Sequence, residues 1–117
     1  MKKILVVNND VETMMPLRDL LEKRTYQVIV TSDGKGSVQL VRKLEPHIIL
    51  IDLLQQVYIR DLKNDPDTAG IPVILMTGYT LNSQSAADTG ADDIIQKPFY
   101  IAQLVEKINK QLNALAK

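Results

Sequence analysis

Cysteine is absent from the 117 residues, which excludes disulfides, Cys-ligated zinc and thiol catalysis. A single histidine, His47, cannot assemble a His-based metal cluster or a catalytic triad. Neither sign of charge is in excess: 14 Lys plus Arg stand against 14 Asp plus Glu, for a formal net charge of zero. That balance argues against a nucleic-acid module, whose footprint is a basic excess, and against an acidic disordered tail. No apolar run approaches the roughly 20 residues of a membrane span. The first run, Ile4 to Val7, stops at Asn8-Asn9-Asp10, too short for a secretory signal, so the expected compartment is the cytoplasm. What remains is ordinary: 45% hydrophobic and 24% charged residues, as in a soluble globular protein. The length suits one domain over residues 1–117 with a core of its own.

Five short apolar runs carry the fold signal: Ile4-Leu5-Val6-Val7, Val28-Ile29-Val30, Ile48-Ile49-Leu50-Ile51, Val73-Ile74-Leu75-Met76 and Ile94-Ile95. They are mostly β-branched and continuous, the pattern of strands covered on both faces of a parallel sheet. Their first residues, 4, 28, 48, 73 and 94, lie 24, 20, 25 and 21 positions apart. Each gap is long enough for the crossover, normally a helix, that a parallel pair requires. The spacing predicts repeated βα units.

The intervening segments differ in strength. Leu17, Leu20 and Leu21 share a helical face, and Pro16 should fall in that helix's first turn or delay its start. Val38, Val41 and Leu44 form a second face, entered through Asp33-Gly34 and ended before Pro46. Ile101, Leu104, Val105, Ile108, Leu112 and Leu115 give the clearest helix. Residues 54–64 offer few apolar anchors. Residues 80–89 are small and polar, and are expected to be the most mobile part.

In an open α/β sheet the site lies beyond the carboxyl ends of the strands. Asn8, Asn9 and Asp10 follow the first run, Asp52 ends the third, Thr77-Gly78 ends the fourth, and Lys97-Pro98 follows the fifth. A carboxylate, a hydroxyl, an ammonium and two amides therefore meet at one end. Such a set suits a phosphate-sized anion, with the carboxylate as acceptor of a phosphoryl group and the ammonium and hydroxyl on its oxygens.

Over essentially its whole length the chain resembles the CheY-like receiver domains of response regulators. Asp52 in Ile51-Asp52-Leu53 matches the family's phosphoacceptor, and Thr77 in Leu75-Met76-Thr77-Gly78 matches the switch hydroxyl. Lys97 in Gln96-Lys97-Pro98-Phe99 matches its lysine, which is usually followed by a cis peptide to proline. Gly90-Ala91-Asp92-Asp93 also looks like the family's stretch before the fifth strand. The resemblance implies an α/β, flavodoxin-like (βα)5 fold: a doubly wound three-layer sandwich with a parallel five-stranded sheet in order 2-1-3-4-5. It further implies a non-enzymatic two-component signalling module. Its partners would be a histidine kinase or phosphotransfer protein and an output protein, met through the fourth helix, fifth strand and fifth helix. Direct binding to nucleic acid or membrane is not expected, and the chain is expected to be a monomer or weak dimer.

Three departures from the family pattern bear on function. The acidic pair that would hold Mg2+ falls on Asn8 and Asn9; the other ligands would be Asp52 and the backbone carbonyl of Leu54. A typical site has three carboxylates and one lysine, net −2, whereas Asp52 and Lys97 here sum to zero. Mg2+ is a hard cation that gives up water reluctantly, so its binding is expected to be weak or lost. Asp10, one position on, could substitute or could cap the following helix. The loop after Asp52 is several residues shorter than in the family, which predicts a short or displaced third helix. The aromatic switch position of the fifth strand is Ile94, so no ring is there to rotate.

The expected function is thus that of an atypical receiver, a pseudo-receiver, in which the Asp52–Lys97 pair holds one conformation. The alternative is a working phosphoacceptor, phosphorylated on Asp52 by a histidine kinase with Mg2+. A flavodoxin-like cofactor protein is more remote, because Asn8-Asn9-Asp10-Val11-Glu12-Thr13 lacks a glycine- and hydroxyl-rich phosphate cradle. His47 reads as a surface residue, and Asp61, Asp65 and Asp67 as solvated loop and cap residues.

Overall fold

The computed structural model describes residues 1–115. Five strands, β1 (Lys3–Val7), β2 (Gln27–Thr31), β3 (Ile48–Asp52), β4 (Val73–Thr77) and β5 (Asp93–Gln96), begin within one residue of the apolar runs. Five helices fill the gaps: α1 (Val11–Glu22), α2 (Ser37–Leu44), α3 (Val57–Asn64), α4 (Ser83–Thr89) and α5 (Ile101–Leu115). All strand pairs are parallel and the order is β2-β1-β3-β4-β5, the doubly wound arrangement expected. Strand order reverses at β1, with β3 on its other edge, and the crevice beyond their carboxyl ends is where such sheets place a site.

Alternation along each strand divides the core into two layers. Ile4, Val6, Leu50 and Ile74 face one way, against Leu17 and Leu21 of α1 and Leu104 and Ile108 of α5. Leu5, Val7, Ile49 and Leu75 face the other, against Val41 of α2 and Ile59 and Leu62 of α3. β3 and β4 are buried at every position, which is why they read as unbroken apolar runs.

Two helices differ from the sequence reading in detail. Pro16 is the sixth residue of α1, not in its first turn. Pro16 and Glu12, whose carbonyl a proline cannot serve, are both exposed, so water can take the missing bond. Residues 54–64, poor in apolar positions, split into a 3-10 turn, Leu53–Gln55, and the eight-residue α3. Two side chains three apart, Ile59 and Leu62, are fully buried and suffice to seat it. The expected shortness of the third helix is observed. α4 buries none of its seven residues, in keeping with its polar sequence. In α5 the expected face is inward, with Leu104 and Ile108 at its centre, while the side chain of Leu115 lies outside the described residues.

Candidate functional site

β3 ends at Asp52, whose side chain is only 9% exposed. Lys97 reaches it from the loop after β5, with Nζ 2.7 Å from Asp52 Oδ1. The two residues are 45 positions apart, and the sheet supplies their meeting. Thr77 pairs in register with Gln96, and the Lys97 N–H donates to the Thr77 carbonyl at 2.7 Å, which sets the loop beside the end of β4. The Lys97–Pro98 peptide is cis. Asp52 Oδ2 accepts the Leu54 N–H at 3.1 Å, so Asp52 caps the 3-10 turn with one oxygen and pairs with Lys97 through the other.

The remaining expected site residues divide. Asn8 is buried at the end of β1, where its N–H donates to the Thr31 carbonyl at 3.0 Å. Its side-chain Oδ1 accepts the Asp10 N–H at 2.7 Å, an Asx turn that leads into α1. Asn9 is exposed. Thr77 is buried, but its hydroxyl turns back on its own loop, accepting the Tyr79 N–H at 3.0 Å and donating to the Tyr79 carbonyl at 3.2 Å. Leu54 turns its N–H to Asp52, and its side chain is 72% exposed. Ile94 stands half-buried in β5, packed on the α2–α3 layer of the core.

As a donor set for Mg2+ this is a poor match. Among the described residues no three of His, Cys, Asp and Glu come together. The carboxylate at the centre already has an ammonium on one oxygen and an amide N–H on the other. The side-chain Oδ1 of Asn8 already accepts the Asp10 N–H, and a neutral amide oxygen offers a dication far less than a carboxylate does. The arrangement holds a carboxylate–ammonium pair at rest, with no buried side-chain nitrogen or oxygen left without a partner among the described residues.

Several polar contacts had no signal in the sequence. Gln55 Oε1 accepts the Gly34 N–H at 2.9 Å, and an atom added at Gly34 would meet the ring of Tyr58. Asp65 and Asp67, read as solvated loop and cap residues, both pair with Arg42 of α2, and Asp65 also caps the Asp67 N–H. Lys63 gathers the Ala69 and Ile71 carbonyls and Asp92 Oδ2 at 3.3, 3.0 and 2.7 Å, and that Asp92 oxygen also accepts the Val73 N–H. His47 is exposed as expected, yet its Nδ1 accepts the Lys3 N–H at 2.9 Å. Burial foremost, then the charges of Lys2, the amino terminus and Lys3, hold its pKa below the ordinary 6.5. A proton on Nδ1 would remove that acceptor.

Comparison with known proteins agrees with this fold. The chain is 30% identical over 119 residues to PilH of Pseudomonas aeruginosa, covering 96% of this chain and 98% of PilH. It is 29% identical over 118 residues to the polar-differentiation response regulator DivK of Brucella anthropi, covering 95% and 96% of the two chains. The DNA-binding response regulator MtrA of Mycobacterium tuberculosis is 30% identical over 95% of this chain, which spans about half of MtrA's length. Among solved structures, the receiver domain of a Syntrophus aciditrophicus signal transduction histidine kinase superposes with a TM-score of 0.87 at 28% identity, over 97% of this chain and 92% of that one. The receiver domain of a Pseudomonas aeruginosa sensor histidine kinase, solved with a magnesium ion in its active-site cleft, shares the fold with a TM-score of 0.86 at 20% identity, covering 96% of this chain and 98% of that one. The sequence profile of the response regulator receiver domain spans residues 4–109, and the chain belongs to that family.

Proposed function

We propose that residues 1–117 act as a single receiver domain that signals by protein–protein contact, with Mg2+-dependent phosphorylation of Asp52 weakened or lost. The observation that carries this reading is the local charge. Where the family places two further acids, this chain has Asn8, bound into an Asx turn, and Asn9. Asp52 is paired with one opposite charge, Lys97, and the amides at positions 8 and 9 add no like charge beside it. The pair therefore needs no cation to offset repulsion from acids at positions 8 and 9. Thr77, held by the backbone of Tyr79, and Ile94, with no ring, give the site little means of reporting a phosphoryl group. In this reading Asp52, Thr77 and Lys97 keep the family's places, while Asn8, Asn9, Asp10 and the Leu54 carbonyl hold Mg2+ weakly or not at all. The chain is a non-enzymatic cytoplasmic partner of a histidine kinase or phosphotransfer protein and of an output protein.

Acetyl phosphate with Mg2+ tests this directly. Incubation of the chain over a Mg2+ titration, followed by intact-mass measurement, is expected to give no phosphate adduct above that of Asp52→Asn. A stoichiometric adduct that appears at millimolar Mg2+ and vanishes in Asp52→Asn would establish the working phosphoacceptor instead.

A further inference from the structure

The Leu54 N–H, which the Asp52 carboxylate caps, belongs to a turn that sends one side chain of its own, Gln55, into a described polar contact with the rest of the fold. Gln55 Oε1 accepts the Gly34 N–H, 21 positions earlier, in the loop between β2 and α2. Gly34 is buried, and the approach of Tyr58 is so close that a Cβ there would lie 2.2 Å from its ring. Gln55 and Tyr58 are three apart, so the turn and the start of α3 present both to the same loop, while Leu54 and Val57 are exposed.

The loop they grip is itself fixed. Asp33 Oδ1 accepts the Lys35 N–H at 2.9 Å, and the Gly34 carbonyl accepts the Ser37 N–H at 2.9 Å. Gly34 is therefore held at its N–H, at its carbonyl and against its Cα. A fixed point on β2–α2 is thus linked through Gln55 to the turn, and through the Leu54 N–H to Asp52 Oδ2. We propose that Gln55 and Tyr58 are positioning residues that hold the Asp52 carboxylate in its Lys97-paired geometry, with Gly34 as their anchor. The shortened segment after Asp52 supplies this lock itself: residues 53–58 run directly from the strand into it. The inference concerns how the carboxylate is held and stands whether or not Asp52 is ever phosphorylated.

The test uses the full chain, isotope-labelled, with amide hydrogen exchange at Leu54 and the Asp52 carboxyl carbon shift as readouts. Gln55→Ala is expected to speed Leu54 exchange about five- to tenfold and to move the Asp52 carbon signal, with amides of β1, β3 and β4 unchanged. Gln55→Glu, which keeps an acceptor for Gly34, should restore both. Gly34→Ala, which drives a methyl into Tyr58, should act in the direction of Gln55→Ala; should it fail to fold, the two Gln55 variants decide alone. Unchanged Leu54 and Asp52 signals in Gln55→Ala would overturn the proposal. So would exchange that rises equally across the central strands, because that outcome reports a merely structural role.

Discussion

Asp52 and Lys97 carry opposite charges 2.7 Å apart, and the value of that contact depends on what each would lose alone. Asp52 is nearly enclosed, whereas Lys97 keeps 35% of its side-chain surface in water. Removal of the lysine strands a buried carboxylate; removal of the carboxylate strands an ammonium that can turn outward. Lys97→Met is therefore expected to destabilise the fold by about 1–3 kcal/mol in urea unfolding, less than for a fully enclosed pair because water screens the ammonium. Asp52→Asn should cost less, and the double variant should be more stable than Lys97→Met alone. A double variant that is no better would mean that the pair is not what holds the carboxylate.

His47 is the residue-scale pH reporter. Its folded pKa is lowered, so the native state favours the neutral ring. The stability this contributes is present above the ordinary value of 6.5 and is lost as pH falls through the lower folded value. The wild-type urea midpoint should therefore drop more than that of His47→Ala on going from about pH 7.5 to about pH 5.5. Equal drops would show that the Lys3 N–H does not depend on Nδ1.

Among elements, legibility followed burial. β3 and β4, enclosed on both faces, announce themselves as continuous apolar runs, and the strand starts expected at 4, 28, 48, 73 and 94 fall at Lys3, Gln27, Ile48, Val73 and Asp93. α3 was faint because its seat is two residues, Ile59 and Leu62, too few for a periodic signal. The candidate site was half legible. Asp52 and Lys97 could be brought together from strand order alone, because topology decides which strand ends are neighbours. The hold of Gln55 and Tyr58 on Gly34, the backbone ties of Thr77 and the pairing of Arg42 with Asp65 and Asp67 depend on loop paths and side-chain rotamers, which leave no periodic trace. α4 is the converse case, faint and loosely held. It buries nothing, and its N-terminus rests on Asn82 Oδ1 accepting the Ser85 N–H at 2.8 Å. Its amides are expected to exchange fastest of the five helices. Asn82→Ala should speed them about fivefold further while lowering global stability by less than about 1 kcal/mol, because α4 opens by itself. Slow α4 exchange that tracks global unfolding would show that it is held by more than its cap.

At the scale of the whole molecule, neutrality and the site converge on one thermodynamic question: whether folding is linked to Mg2+. A cation that binds only the native state raises stability by RT ln(1 + [Mg2+]/Kd), so the melting temperature measures affinity without any assay of activity. On the proposed reading, with Asp52 paired to Lys97 and amides at 8 and 9, the wild-type melting temperature should move by less than about 1 °C at about 10 mM Mg2+. The variant Asn8→Asp/Asn9→Asp takes the local sum from zero to −2. Without Mg2+ the added acids repel Asp52 and each other, so this variant should melt several degrees below wild type. With Mg2+ the same charges become ligands, and an affinity that puts Kd about 100-fold below the Mg2+ concentration would return about 2.7 kcal/mol. The two melting curves should therefore approach or cross as Mg2+ is added. NaCl at matched ionic strength should reproduce only the screening part, which separates repulsion relieved by salt from a bound ion. If the wild type gains as much from Mg2+ as the variant, or the variant gains nothing beyond NaCl, the two asparagines are not what sets this site apart.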